Sequence, residues 1–233
     1  MNIKIVDASK EYKGKEVLYL EELNFKEGYI YALMGLNGSG KTTLLQCASG
    51  LDTFTKGEVF YDICTDIESA RKDIAVLLQK PYLFNCLVME NIIMGLKFRK
   101  FDKEAISERM SRYMSYFDIK ELLGKNSREL SGGEQAKVAL LRIAILETSV
   151  TFLDEPTASM DIENTLRAEE LIKDMALKNR SVILVTHDLL QAERTADYII
   201  YLDKGRIIEQ GEKHRVLEFP EHKLLKQILK RGD

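Results

Sequence analysis

Gly35-Leu36-Asn37-Gly38-Ser39-Gly40-Lys41-Thr42 follows an apolar run at 29–34 and leads directly into Thr43-Leu44-Leu45-Gln46-Cys47-Ala48. The run has the length and content of a buried strand, and the segment after the octet reads as a helix, so the octet is a strand-to-helix loop. A phosphate-binding loop requires that setting. Glycines at 35, 38 and 40 reach backbone angles closed to other residues, so consecutive N–H groups can turn inward around an anion at the positive end of the helix. Lys41 adds a fixed charge within reach of β- and γ-phosphates, and the Thr42 hydroxyl is placed to ligate Mg²⁺.

The totals frame this reading. At 233 residues the chain fits one large domain, or one domain with an inserted subdomain, and 45% hydrophobic with 30% charged residues describes an ordinary globular protein. A net charge of −3 gives no reason to expect direct nucleic-acid binding. Cys47, Cys64 and Cys86 are odd in number and lack metal-ligand spacing, which points to reduced thiols in a cytosolic protein. The N-terminus has no signal-peptide core, and no apolar run reaches membrane-spanning length, so the chain is expected in the cytosol.

Outward from the loop, 2–6 alternates as a half-buried strand does, and 17–25 offers more β-like material. Tyr12 lies between them, a surface or packing aromatic on its own evidence. Gly50 is placed to end the helix, strands are expected at 57–61 and 74–78, and the second stops at Gln79 before Lys80-Pro81. From 81 to 125 the texture becomes helical. Val88, Ile92 and Ile93 suggest one short helix, and Ile106, Met110, Tyr113, Met114 and Phe117 form a stripe on a longer one. This is read as a helical insertion, with core packing favoured for the stripe and exposure within 82–91 taken as the sign of a partner surface.

Ser131-Gly132-Gly133 opens the helical run at 136–146 and exposes N–H groups for a second phosphate contact. The strand at 150–153 delivers Asp154 and Glu155 at its carboxyl end, where ligands sit in open α/β sheets. Asp154 is suited to holding Mg²⁺ and Glu155 to orienting a hydrolytic water. A helix at 163–177 and a strand at 182–185 follow, the strand delivering His187 in the same sense. A hairpin turns at Asp203-Lys204-Gly205, an amphipathic helix closes the chain, and the terminal Arg-Gly-Asp is taken as coincidence.

The ordered set resembles the ATP-binding cassette (ABC) ATPases that drive membrane transporters, along almost the whole chain. Gly35 to Thr42 resembles the Walker A loop, Gln79 the Q-loop glutamine, Leu130 to Gln135 the LSGGQ-type signature, Asp154 the Walker B aspartate, Glu155 the catalytic glutamate, Ser159 to Asp161 the D-loop and His187 the switch histidine. Tyr12 then looks like the aromatic that stacks on adenine. Three departures stand out: Glu134 for the last glutamine of the signature, Ala136-Lys137 for Gln-Arg, and Met160 for the D-loop leucine. None removes a charged or phosphate-binding group.

The resemblance implies an α/β P-loop NTPase fold of the ABC ATPase kind: a RecA-like core with an antiparallel β subdomain at 1–80 and 126–233, and a helical subdomain inserted at 81–125. It implies ATP and Mg²⁺ as cofactors. The nucleotide would be bound by Tyr12, Gly35, Asn37, Gly38, Ser39, Gly40, Lys41, Thr42 and Thr43, and the metal by Thr42, Gln79 and Asp154. Glu155, His187 and Gln79 would be catalytic, and Ser131, Gly132 and Gly133 would close over the γ-phosphate of a second, identical subunit. Transmembrane permease subunits, an extracytoplasmic substrate-binding protein and a place on the inner face of the cell membrane are implied with it. The stretches 79–84 and 90–97 look more like oxyanion importers of the tungstate or molybdate kind than like lipid exporters. A translation- or repair-associated ABC ATPase is the alternative.

Overall fold

The computed structural model describes residues 1–62 and 67–229; Cys64 and the terminal Arg-Gly-Asp lie outside the described residues. Alternating residues at the N-terminus form β1 (Ile3–Tyr12) and β2 (Lys15–Phe25), antiparallel about a turn in which Lys13 and Gly14 both take positive φ. Then come β3 (Ile30–Gly35), α1 (Lys41–Ala48), β4 (Lys56–Tyr61), a short α2 (Ile67–Ala70) and β5 (Ile74–Leu77). The helical stretch holds α3 (Val88–Phe98) and α4 (Lys103–Tyr113), followed by α5 (Gly132–Ala144). The remainder is β6 (Val150–Asp154), α6 (Ile162–Met175), β7 (Ser181–Val185), α7 (Leu189–Thr195), β8 (Tyr198–Asp203), β9 (Arg206–Glu212), α8 (Lys213–Glu218) and α9 (Lys223–Leu229).

Two sheets result. β2, β1 and β4 form a three-stranded antiparallel sheet. The other six strands run in the order β5-β6-β7-β3-β8-β9, parallel from β5 to β8 with β9 antiparallel at the edge. Period-two side-chain alternation divides each central strand between two cores. Ala32, Leu153 and Leu184 face the cluster that holds α3, α5 and α6, whereas Leu33, Phe152 and Ile183 face α1 and the three-stranded sheet. A parallel sheet covered on both faces needs apolar residues at consecutive positions, which is why the runs at 29–34, 150–153 and 182–185 show no polar alternation.

The stretch that holds α3 and α4 begins and ends at one place. Val88 N–H donates to the Lys125 carbonyl (3.0 Å), Ser127 N–H donates to the Cys86 carbonyl (3.0 Å), and Leu87 bridges Asn126. Buried Asn91 braces the entry loop, accepting from Phe84 N–H at 2.8 Å and donating to the Phe84 carbonyl at 2.9 Å. An ion cluster fastens α4 to the core: Glu147 meets Arg109 and Arg112 at 3.2 Å each and accepts the Tyr113 hydroxyl at 3.0 Å, while Arg112 reaches Asp174 at 2.7 Å.

Two expectations shift in detail. The strand read at 74–78 ends at Leu77, and Leu78 is exposed. The α4 stripe does not continue to Phe117, because Met114 caps the helix and the Ser115 hydroxyl donates back to the Arg112 carbonyl at 2.8 Å. Phe117 still enters the core from the following turn, and Ile106, Met110 and Met114 pack against the same cluster. Exposure instead concentrates in the loop ahead of α3, where Tyr82, Phe84 and Leu87 present their side chains outward.

Candidate functional site

Four neighbouring parallel strands, β5, β6, β7 and β3, end on the same side. At strand spacings near 4.8 Å their ends span about 14 Å. There they deliver Gln79, the pair Asp154 and Glu155, His187, and the glycine loop. The resulting cleft has a volume of about 470 Å³, within the usual range for small-molecule sites. Tyr12, Asn37, Gly38, Ser39, Gly40, Lys41, Thr42, Thr43, Gln79, Asp154 and Glu155 all line it. Residues read separately along the chain thus share one wall.

The loop conformation depends on its glycines. Gly35 has φ +144°, and a Cβ there would come within 2.2 Å of the Leu202 carbonyl oxygen, so no other residue fits. Gly40, at φ +104°, is the N-cap of α1 and leaves the first helical N–H groups free to receive an anion. The Ser39 hydroxyl is buried beside Gly35 with no hydrogen-bond partner, an orphaned polar atom within the loop that would hold the anion. Lys41 bends back to donate to the carbonyls of Gly35 (2.8 Å) and Leu36 (3.0 Å). Burial lowers its pKa, against the opposing pull of Glu155 and Asp154.

The Thr42 hydroxyl donates to Asp154 Oδ2 at 2.9 Å, bringing together the two oxygen donors expected at a metal. Asp154 is 2% exposed, and its burial pushes the carboxyl above the usual carboxylate range despite the Thr42 hydrogen bond. A buried carboxylate beside a hydroxyl is the donor set of a Mg²⁺ that completes its shell with phosphates and water. The residues therefore fit the cofactor pair. Glu155 turns out of β6 at φ +47°, a left-handed conformation uncommon for glutamate and concentrated at functional sites. Its Oε1 lies 2.8 Å from His187 Nδ1, which ties the ends of β6 and β7 together, while His187 itself lines an adjoining pocket with Gly35, Leu36 and Asn37.

Ser131, Gly132 and Gly133 do not join this cleft. Ser131 is the exposed N-cap of α5, and a Cβ on Gly133 would touch the Ser159 carbonyl at 3.0 Å, so the signature stands beside its own D-loop. Glu134 closes a capping box there. Its Oε2 accepts both the Ser131 N–H and the Ser131 hydroxyl at 2.7 Å, and these bonds hold its carboxyl below the ordinary range.

Three further residues stand at the cleft or beside its Tyr12. Val17 is the extra residue of a bulge, since Lys10 pairs with Leu18 and Glu11 with Glu16, and the bulge carries Val17 to the cleft wall. Asp52 and Lys10 bond to one another beside Tyr12. Only the spacing of Lys10 and Tyr12, two apart on one strand face, marks any of this in the sequence.

A family model described as ABC transporter matches residues 21–158. The chain belongs to the ABC transporter family. The tungstate uptake system ATP-binding protein TupC of Peptoclostridium acidaminophilum is 40% identical over 210 residues, covering 90% of this chain and 98% of that protein. The phosphate import ATP-binding protein PstB 2 of Aliivibrio fischeri is 30% identical over 237 residues, with 95% and 87% covered. Among solved structures, a dimeric ATP-binding cassette in a post-hydrolysis state bound to ADP and Pi is 28% identical, superimposes with a TM-score of 0.81, and covers 91% of this chain and 98% of that one. The fold is therefore that of an ABC ATPase, as the glycine loop and the acidic strand end lead one to expect, and the chain is an ATP-hydrolysing subunit of the transporter class. No helix among the described residues is long and apolar enough to cross a membrane.

Proposed function

We propose that this cassette powers an importer by binding and hydrolysing Mg-ATP in a site completed by a second copy of itself. The observation that carries the proposal is spatial: the glycine loop, Asp154 and Glu155 share one cleft, while Ser131 to Gly133 stand outside it on an exposed helix start. A single chain thus offers two half-sites, and the dimeric cassette of similar fold supports their pairing. Lys41 and the loop N–H groups hold the β- and γ-phosphates, Thr42, Asp154 and Gln79 hold Mg²⁺, and the partner's signature closes over the γ-phosphate. Mg²⁺ supplies charge neutralisation on the transferring group. Glu155 orients the attacking water, and His187 keeps the Glu155 carboxylate aimed at it.

The helical insertion at 81–125 is read as a subdomain whose exposed Tyr82, Phe84 and Leu87 meet the permease on the inner face of the membrane. Import systems among the relatives favour transport over a role in translation or repair, and the most identical relative quoted above favours tungstate or a related oxyanion. An extracytoplasmic binding protein would deliver that cargo. The test is ATPase activity of the cassette reconstituted with its permease in liposomes. Stimulation by binding protein loaded with tungstate, and not by unloaded protein, supports the reading; equal activity under both conditions would refute the cargo assignment.

A further inference from the structure

Beside the cleft, three side chains, two from β1 and one from the turn after α1, form a closed set. The Tyr12 hydroxyl donates to Asp52 Oδ2 at 2.8 Å. Lys10 Nζ donates to the other oxygen, Asp52 Oδ1, at 2.7 Å, and also to the Thr53 carbonyl at 2.7 Å. The same ammonium lies over the Tyr12 ring, 5.0 Å from its centroid. Thr53 N–H donates back to Asp52 Oδ1 at 2.7 Å, so the carboxylate is itself fixed. Lys10 is 8% exposed, whereas Tyr12 is 45% exposed and lines the cleft.

We propose that Asp52 is a positioning residue for the nucleobase: it fixes Tyr12 as a preset stacking platform with Lys10 against one face, leaving the other to the base. The inference rests on the reading of Tyr12 as the surface that receives adenine. Its physical basis is orientation. A tyrosine at the last residue of β1, beyond the final pairing of that strand with β4, next to a turn and nearly half exposed, has several rotamers open to it, and a base that stacks on it must select one. Asp52 makes that selection before the nucleotide arrives, because only one ring orientation brings the hydroxyl to Oδ2 while the ring stays beside Lys10. Preorganisation of this kind reduces the ordering cost of binding. Lys10 also neutralises the carboxylate, so Asp52 adds no net repulsion near an anionic ligand. The three groups come from β1 and from the turn after α1, so the helix that opens at the phosphate site also anchors, through its far end, the surface that meets the base.

The test separates base from phosphate. Dissociation constants are measured calorimetrically for the Mg complexes of the β,γ-imido analogue of ATP and of inorganic tripolyphosphate, which has phosphates and no base. The proteins are wild type, Asp52→Ala, Asp52→Asn, Tyr12→Ala and the double variant Tyr12→Ala/Asp52→Ala. Stacking on an aromatic is worth about 1–3 kcal/mol per base, so Tyr12→Ala is expected to weaken the nucleotide by about 5- to 160-fold. Asp52→Ala is expected to weaken it by about 3- to 10-fold, leave tripolyphosphate within twofold of wild type, and add nothing in the Tyr12→Ala background. Asp52→Asn, which retains an acceptor for the hydroxyl but not the charge for Lys10, is expected to fall between, and it serves if Asp52→Ala does not fold. An Asp52 effect that persists without Tyr12, or that weakens tripolyphosphate equally, would overturn the proposal by placing Asp52 in the support of the phosphate loop. Tyr12→Ala weakening the nucleotide while both Asp52 variants leave it unchanged would overturn the positioning role alone. Unchanged nucleotide binding in Tyr12→Ala would overturn the base-platform reading and the inference with it.

Discussion

His187 Nδ1 and Glu155 Oε1 lie 2.8 Å apart although 32 residues separate them in sequence, because β6 and β7 are hydrogen-bonded neighbours that end in register. The imidazole is largely exposed and the carboxylate only 12% so, which makes the histidine the adjustable member of the pair. If its task is to aim Glu155, His187→Ala will lower ATP turnover by about 10²-fold with Mg-ATP affinity within threefold of wild type. The same substitution will add nothing once Glu155→Gln has abolished turnover. Steady-state hydrolysis and nucleotide titration on the two single variants and the double variant check this.

Asp154→Asn is expected to separate stability from function. The folded-state carboxyl is raised by burial, so it takes up a proton more readily than the unfolded one. Stability of the nucleotide-free protein therefore falls as pH rises from the unfolded-state value through the folded-state value, and the penalty is complete above the latter. Removing the charge while keeping an acceptor for the Thr42 hydroxyl should raise the melting temperature at pH 7 by about 2–4 °C. The gain should vanish at a pH acidic enough to protonate Asp154. Mg²⁺-dependent ATP hydrolysis should be lost in the same protein. Thermal melts across pH, alongside hydrolysis assays, report both outcomes.

Ser131→Arg places a long cation on an exposed N-cap that does not line the cleft of its own chain. ATP binding to the isolated subunit should remain within about twofold of wild type, since the substituted side chain is remote from the glycine loop. ATP-dependent dimerisation should disappear. Light scattering of Ser131→Arg/Glu155→Gln with and without ATP is the measurement, with Glu155→Gln alone as the dimerising control.

Glu147→Ala should loosen the insertion from the core. It strips the shared acceptor from Arg109 and Arg112, both partly screened by solvent, and from the buried Tyr113, so the expected loss is about 2 kcal/mol, below the figure for a fully buried pair. Urea unfolding monitored by circular dichroism gives the value directly.

The strands and the loop between β3 and α1 were legible in the sequence because each depends on local signals: apolar runs of strand length, and glycines before a helical pattern. So was the common side on which Gln79, Asp154, Glu155 and His187 emerge, since strands entering one parallel sheet in one sense must deliver their ends together. The end of α4 was not, because a single hydroxyl at Ser115 competes for a helical carbonyl and periodicity carries no record of it. The Asp52–Tyr12 bond and the Val17 bulge were equally hidden, the first spanning 40 residues and the second resting on a register shift between strands. The separation of Ser131 from the cleft was expected from the family resemblance alone, since motif order preserves sequence and says nothing of distance.

The hydroxyl of Ser131 is already spoken for in the lone subunit, donated to Glu134 at 2.7 Å. If two subunits close and that hydroxyl turns to a γ-phosphate, one acceptor replaces another and the number of hydrogen bonds does not rise. The net worth of such an exchange is small. Adhesion between the halves would then come from the charge of the intact triphosphate, which the Glu134 carboxylate opposes. Cleavage and departure of phosphate would let the serine return to its own glutamate, so the pair would come apart without outside force. On that exchange, the alternative acceptor at Glu134 would make the start of α5 a latch that resets itself once the phosphate leaves.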